Sequence, residues 1–174
     1  MGFIGGCCFG VRCGQAYNDG KEIHWREWCR LIPFAGWVIA IWDGVERGAY
    51  VVSEAEGGDP AVILIGTGSE VHLALDAQKL LAEKGVRARV VSMPSWERFE
   101  RQPQDYRDSV LPPEVTARVA VEAGVTLGWE KWVGPQGAVV GVDRFGASAP
   151  YQTIYEQLGL TPAAIAERAL ALVE

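Results

Sequence analysis

Gly66-Thr67-Gly68-Ser69-Glu70 is the first stretch whose residue types could do chemistry. It sits between an apolar run and the start of a helical pattern, where free backbone N–H groups and the helix dipole favour an anion. It is not a P-loop, because no G-K-[ST] follows. Nor is it the dinucleotide fingerprint G-x-G-x-x-G, because Val71 takes the place of the third glycine. Glu70 also brings a negative charge to the point where a phosphate would arrive. A tight turn with Ser69 as helix cap carries more weight than an anion edge on Gly66, Thr67, Gly68 and Ser69, and both stay open.

Acid–base work near neutral pH usually falls to histidine, and the chain has two. His72 reads as a surface residue in the first turn of a helix, and His24 lies in a cysteine-rich amino-terminal stretch. No Ser–His–Asp arrangement is legible. Cys7, Cys8, Cys13 and Cys29 have no identifiable activator and lack the paired C-x₂-C spacing of a structural zinc site. The expectation is no catalytic residue, no metal ligand and no bound cofactor on this chain.

A third constellation runs from Arg118 to Pro150: a strand, a glycine-bearing loop with Trp129 and Trp132, another strand, then D-R-F-G-A-S-A-P. That last turn follows the carboxyl end of a predicted core strand, the ligand-binding edge of an open α/β sheet. Aromatic residues and arginine anchor interfaces. Trp129, Trp132, Asp143, Arg144, Phe145 and Ser148 are therefore read as partner-packing residues before ligand contacts.

The elements that must position these residues alternate. Ala61–Ile65 is a continuous apolar run bounded by Pro60 and Gly66, as in a strand buried on both faces of a parallel sheet. Val71, Leu73, Ala74, Ala77, Leu80 and Leu81 keep a helical period that Gly85 stops. Further strands are predicted at Ala49–Ser53, Val86–Met93, Arg118–Glu122 and Ala138–Asp143. Short helices are predicted over 95–101, 104–111 and 153–158. The last helix, Pro162–Val173, begins with Thr161 at its cap and proline in its first position. Strand–helix–strand order implies right-handed crossovers. The predicted fold is a three-layer αβα sandwich on a mostly parallel sheet of about five strands.

Composition breaks near Asp43-Gly44. All four cysteines and four of the seven tryptophans precede that point. Residues 1–42 carry four basic and three acidic side chains, whereas residues 43–174 carry twelve and nineteen. Residues 1–43 are expected to be an atypical Cys- and Trp-rich leader, poorly ordered or foreign to the domain, and residues 44–174 the domain itself. The overall charge of -6, with no basic stripe, argues against nucleic acid. The longest apolar run, Leu31–Trp42, is twelve residues, short of the roughly 20 that span a bilayer. The first residues lack the positive region of a secretory signal, and Gly6 stands where myristoylation wants Ser or Thr. The expected place is the cytoplasm, away from membranes.

From about Gly44 onward the motifs converge on one family. GTGSEVHLALDAQKLLAEKGVRARVVSMPSWERFERQ resembles the carboxy-terminal domain of transketolases, and YRDSVLPP, RVAVEAGVTLGWEKWVG and DRFGASAP resemble its later signatures in the same order. The resemblance implies a parent enzyme that moves a two-carbon ketol unit between sugar phosphates with thiamine diphosphate and a divalent cation such as Mg²⁺. It also implies that those groups belong to two upstream domains, and that this domain supports a homodimer and packs against its neighbour. The chain is thus expected to be a severed, non-catalytic domain whose partners are another copy or the missing domains. A stand-alone phosphometabolite-binding module using the Gly66–Glu70 loop is the alternative.

Overall fold

The computed structural model describes residues 16–18, 21–23 and 43–173. Cys7, Cys8, Cys13, His24 and Cys29, on which the expected absence of a metal site rests, lie outside the described residues. Internal contacts divide the chain into Met1–Asp43 and Gly44–Glu174. In the first unit, β1 (Ala16–Asn18) and β2 (Lys21–Ile23) pair antiparallel.

The second unit is a five-stranded sheet in the order β3-β5-β4-β6-β7. Its strands are β3 (Tyr50–Ser53), β4 (Val62–Gly66), β5 (Ala88–Ser92), β6 (Arg118–Val121) and β7 (Ala138–Val140). β4, β5, β6 and β7 run parallel, and β3 joins the edge antiparallel to β5. All five residues of β4 are buried, because alternate side chains feed different layers. Val62 and Leu64 meet α1 (Val71–Glu83) and α6 (Pro162–Val173), through Leu73, Ala74, Ala77, Leu81, Ile165 and Ala169. Ile63 and Ile65 meet the opposite layer, where α2 (Trp96–Glu100), α3 (Gln104–Val110) and α4 (Glu130–Val133) supply Phe99, Val110 and Trp132. The result is the three-layer sandwich expected from the alternating pattern.

Thr161 caps its helix as expected, and Ser95 caps α2. Thr161 Oγ1 accepts from the backbone N–H of Ala164 at 3.2 Å, and Ser95 Oγ accepts from that of Arg98 at 3.4 Å. Several boundaries differ from the periodic reading; β5, for one, begins at Ala88 where Val86 was expected. β7 stops at Val140 because the chain then leaves the sheet, with the Val142 N–H bonded to the Gly124 carbonyl at 2.7 Å. The following helix, α5 (Tyr151–Leu158), starts two residues earlier than expected, since Pro150 fixes φ at -52° directly before it.

Candidate functional site at the carboxyl edge of the sheet

Strand order decides where a site can form. The chain runs from β4 through α1 to β5 on one side, then returns to place β6 on the other side of β4. Between the carboxyl ends of β4 and β6 lies the switch point, the crevice where open α/β sheets bind ligands. The loops after β4, β6 and β7 meet there, with α5 beside them.

The loop after β4 is built around its acid. Gly66 ends the strand against the next helix: a Cβ there would stand 3.0 Å from the Val71 Cα. Gly68 takes φ +53°, which only glycine adopts without strain. Residues Gly68–Glu70 form a 3₁₀ turn that leads into α1. Ser69 is not the expected cap. Its hydroxyl donates instead to Glu70 Oε1 at 2.8 Å, and α1 begins with no side-chain cap. Glu70 is 5% exposed, and its Oε1 also accepts from the Tyr155 hydroxyl at 2.5 Å. For a phosphate this carboxylate is a repulsive neighbour at the one helix end it would seek, so the anion edge on Gly66, Thr67, Gly68 and Ser69 lacks support from the geometry.

Glu122, at the carboxyl end of β6, adds a second acid. Burial pushes its carboxyl above the ordinary 4.5, and the charge of Glu70 pushes it the same way. The Tyr155 phenol is raised above its ordinary value by the bond to Glu70 and by burial. For Glu122 the folded state holds the proton more tightly than the unfolded chain. Its contribution is therefore fully present below pH 4.5 and is lost as pH rises through the raised folded value. Glu122→Gln should raise the unfolding midpoint at pH 7, with the gain vanishing near pH 4; urea titrations at the two pH values test this. An equal shift at both would contradict it.

Other sequence candidates separate into two groups. Trp129 and Trp132 are 1% and 6% exposed, so they are core residues and not the interface anchors they were read as. Trp129 stacks edge-on to Trp96 at 5.0 Å and Trp132 lies 5.4 Å from Phe99. Asp143, Arg144, Phe145 and Ser148 are exposed. Asp143 is held back to the β6 loop, accepting from the Thr126 N–H at 2.9 Å and the Thr126 hydroxyl at 2.9 Å. Phe145 is 97% exposed; Leu127 and Val125, in the loop after β6, are 76% and 60% exposed, and Tyr151, at the start of α5, is 61% exposed. His72 is exposed and its ring bonds to the Ser69 carbonyl, as expected of a surface helix residue. Sequence reading missed Glu122 and Tyr155. The signal for the first was an acid directly after a core strand; for the second there was none.

A family model described as the transketolase-like TK C-terminal domain matches residues 48–161. The chain belongs to the transketolase family. It is 52% identical over 132 residues to the transketolase of Geobacillus stearothermophilus, covering 76% of this chain and 20% of that protein. Against the chloroplastic transketolase of Spinacia oleracea it is 51% identical over 128 residues, covering 73% of this chain and 17% of that one. Among solved structures, the transketolase of Leishmania mexicana superposes with a TM-score of 0.69 at 43% identity, over 75% of this chain and 18% of its own. The chain thus spans about a fifth of the length of these transketolases. A split-gene transketolase solved as an inactive β4 tetramer, 23% identical with a TM-score of 0.57, shares the fold. Among the described residues no helix is long and apolar enough to cross a membrane.

Proposed function

We propose that this transketolase carboxy-terminal domain is a packing domain with no ketol-transfer activity of its own. Its full-length form transfers a two-carbon ketol unit between sugar phosphates, using thiamine diphosphate and a divalent cation. Transketolases of Pichia stipitis solved with sedoheptulose 7-phosphate and xylulose 5-phosphate support that substrate class for the whole enzyme. The carboxyl edge of this chain does not fit the cofactor. A buried, doubly bonded Glu70 occupies the helix end a diphosphate would approach, and among the described residues no three His, Cys, Asp or Glu converge.

What that edge offers instead is surface. Phe145, Leu127, Tyr151 and Val125 are exposed apolar side chains, and Arg144, next to Phe145 in the chain, lines one cavity with Val125. Aromatic residues and arginine are the types that anchor protein interfaces, so this patch is the proposed packing face toward a second copy or the remaining domains. Residues 44–174 are the proposed working unit, with residues 1–43 a leader outside it and the cytoplasm, on the domain's acidic balance, its place. The observation that carries the reading is the match over residues 48–161. The test is a coupled assay of the purified chain with thiamine diphosphate, Mg²⁺, xylulose 5-phosphate and ribose 5-phosphate. No turnover is expected; turnover that scales with the chain's concentration would overturn the proposal.

A further inference from the structure

Between Val142 and Leu160 the chain crosses the carboxyl edge with few attachments. Residues 143–153 are all exposed, and α5 buries none of its side chains fully. Ile154, Tyr155 and Leu158 are half-buried. Among the described residues the backbone hydrogen bonds made here outside the helical ladder are local: Ile154 N–H to the Pro150 carbonyl, Gly159 N–H to Glu156, and Leu160 N–H to Tyr155. At its two ends the anchors are firm. The Val142 N–H is bonded to Gly124 at 2.7 Å, and Leu160 is 1% exposed in the core.

Beyond the half-buried packing of Tyr155 and Leu158 against the core, two side-chain hydrogen bonds join the interior of this stretch to the body among the described residues. One is Asp143 to Thr126, close to the first anchor. The other is the Tyr155 hydroxyl to Glu70, mid-helix and 85 residues away in sequence. Gly159, in the left-handed region at φ +74°, closes α5 and gives a pivot that a side chain would stiffen. A cavity of about 370 Å³ lies beneath, lined by Val125, Val142, Arg144, Ile154, Tyr155 and Leu158.

The geometry points to a strap that opens by local unfolding: residues 143–159 lose their own turn and helical hydrogen bonds together as they leave the switch-point crevice, and the Tyr155–Glu70 hydrogen bond is the latch that holds them closed. Segments with few buried apolar contacts and exposed backbone bonds open locally at lower free energy than the core. The strap fits that description, whereas α1 and α6 bury Leu81, Ile165 and Ala169 completely. Opening bares the Glu70 and Glu122 carboxylates and the cavity floor together, so the edge presented by this domain switches between covered and open.

Native-state hydrogen exchange on the full chain tests this. In the wild type, amides of residues 154–160 should exchange well ahead of those in α1 and α6. Tyr155→Phe removes the latch hydroxyl and keeps the ring. It should speed exchange at residues 154–160 by roughly tenfold, as expected for losing a hydrogen bond to a charged acceptor, and leave α1 and α6 unchanged. Tyr151→Phe, on the same helix, should change nothing. Exchange of the strap in step with α1 and α6 in the wild type would overturn the proposal. So would a Tyr155→Phe effect spread evenly over all three segments, or none at all.

Discussion

Replacing Trp129 by alanine should lower the stability of the purified chain by about 3–5 kcal/mol, the usual cost of emptying a large buried aromatic site. Trp129 is the largest fully buried side chain of the domain. It packs edge-on against Trp96 in the layer that also holds Phe99, Trp132 and Val133. The turn that delivers it is closed to other residues: Gly128 takes φ +91°, and a Cβ there would stand 2.9 Å from the Trp96 ring. A cavity of that size cannot collapse while β6 and α4 hold its walls apart. Phe145→Ala is the contrast. Phe145 is 97% exposed, so its removal should shift stability by less than about 0.5 kcal/mol and be felt only where another surface packs on it. Urea unfolding of both variants decides between core and interface roles. A Trp129→Ala midpoint equal to wild type would return Trp129 to the interface.

That contrast marks how far the sequence carries. β4 was legible because Pro60 and Gly66 bracket five apolar residues, and a run that short and that apolar fits only a strand covered on both faces. α1 was legible because its thirteen residues repeat a helical period more than three times. α4 has four residues, too few to show any period. Trp129, Trp132 and Val133 do carry the i, i+3, i+4 spacing of one helix face, yet the flanking glycines made the stretch read as a surface loop. Their inward direction comes from where the sheet sits, which local pattern does not encode.

The carboxyl edge was legible in kind and not in its chemistry. A strand–loop–helix transition locates it, and GTGSE marks the loop. What occupies it depends on Tyr155 reaching Glu70 from a helix 85 residues away, and on Glu122 arriving from β6. Both follow from the order β5-β4-β6, which brings the ends of β4 and β6 side by side. In the sequence Glu70 reads as a negative charge standing where a phosphate would arrive. Once that order is set, it becomes a buried acceptor tying α5 to the sheet.

Arg118→Met should cost about 3 kcal/mol, from the loss of charge-assisted bonds to half-buried acceptors. Arg118 opens β6, and its guanidinium donates to four backbone carbonyls. These are Val115 at 2.9 Å, Trp132 at 3.1 Å, Leu111 at 3.3 Å and Pro112 at 2.8 Å. Those carbonyls belong to the loop after α3 and to α4, so one side chain staples that layer to the sheet. Methionine keeps much of the stem's bulk and removes every donor. Arg118→Lys should recover only part of the loss, because a single ammonium cannot span the fork of acceptors that a planar guanidinium reaches. Burial holds the Arg118 guanidinium below its ordinary value. The sign of that shift places any pH dependence near the guanidinium range itself, since both folded and unfolded chains keep the group charged below it. The penalty should therefore be the same at pH 6 and pH 9, read as a lower urea midpoint at unchanged slope. A penalty confined to one of those pH values, or full rescue by lysine, would mean that charge alone and not the fork of hydrogen bonds holds the layer in place.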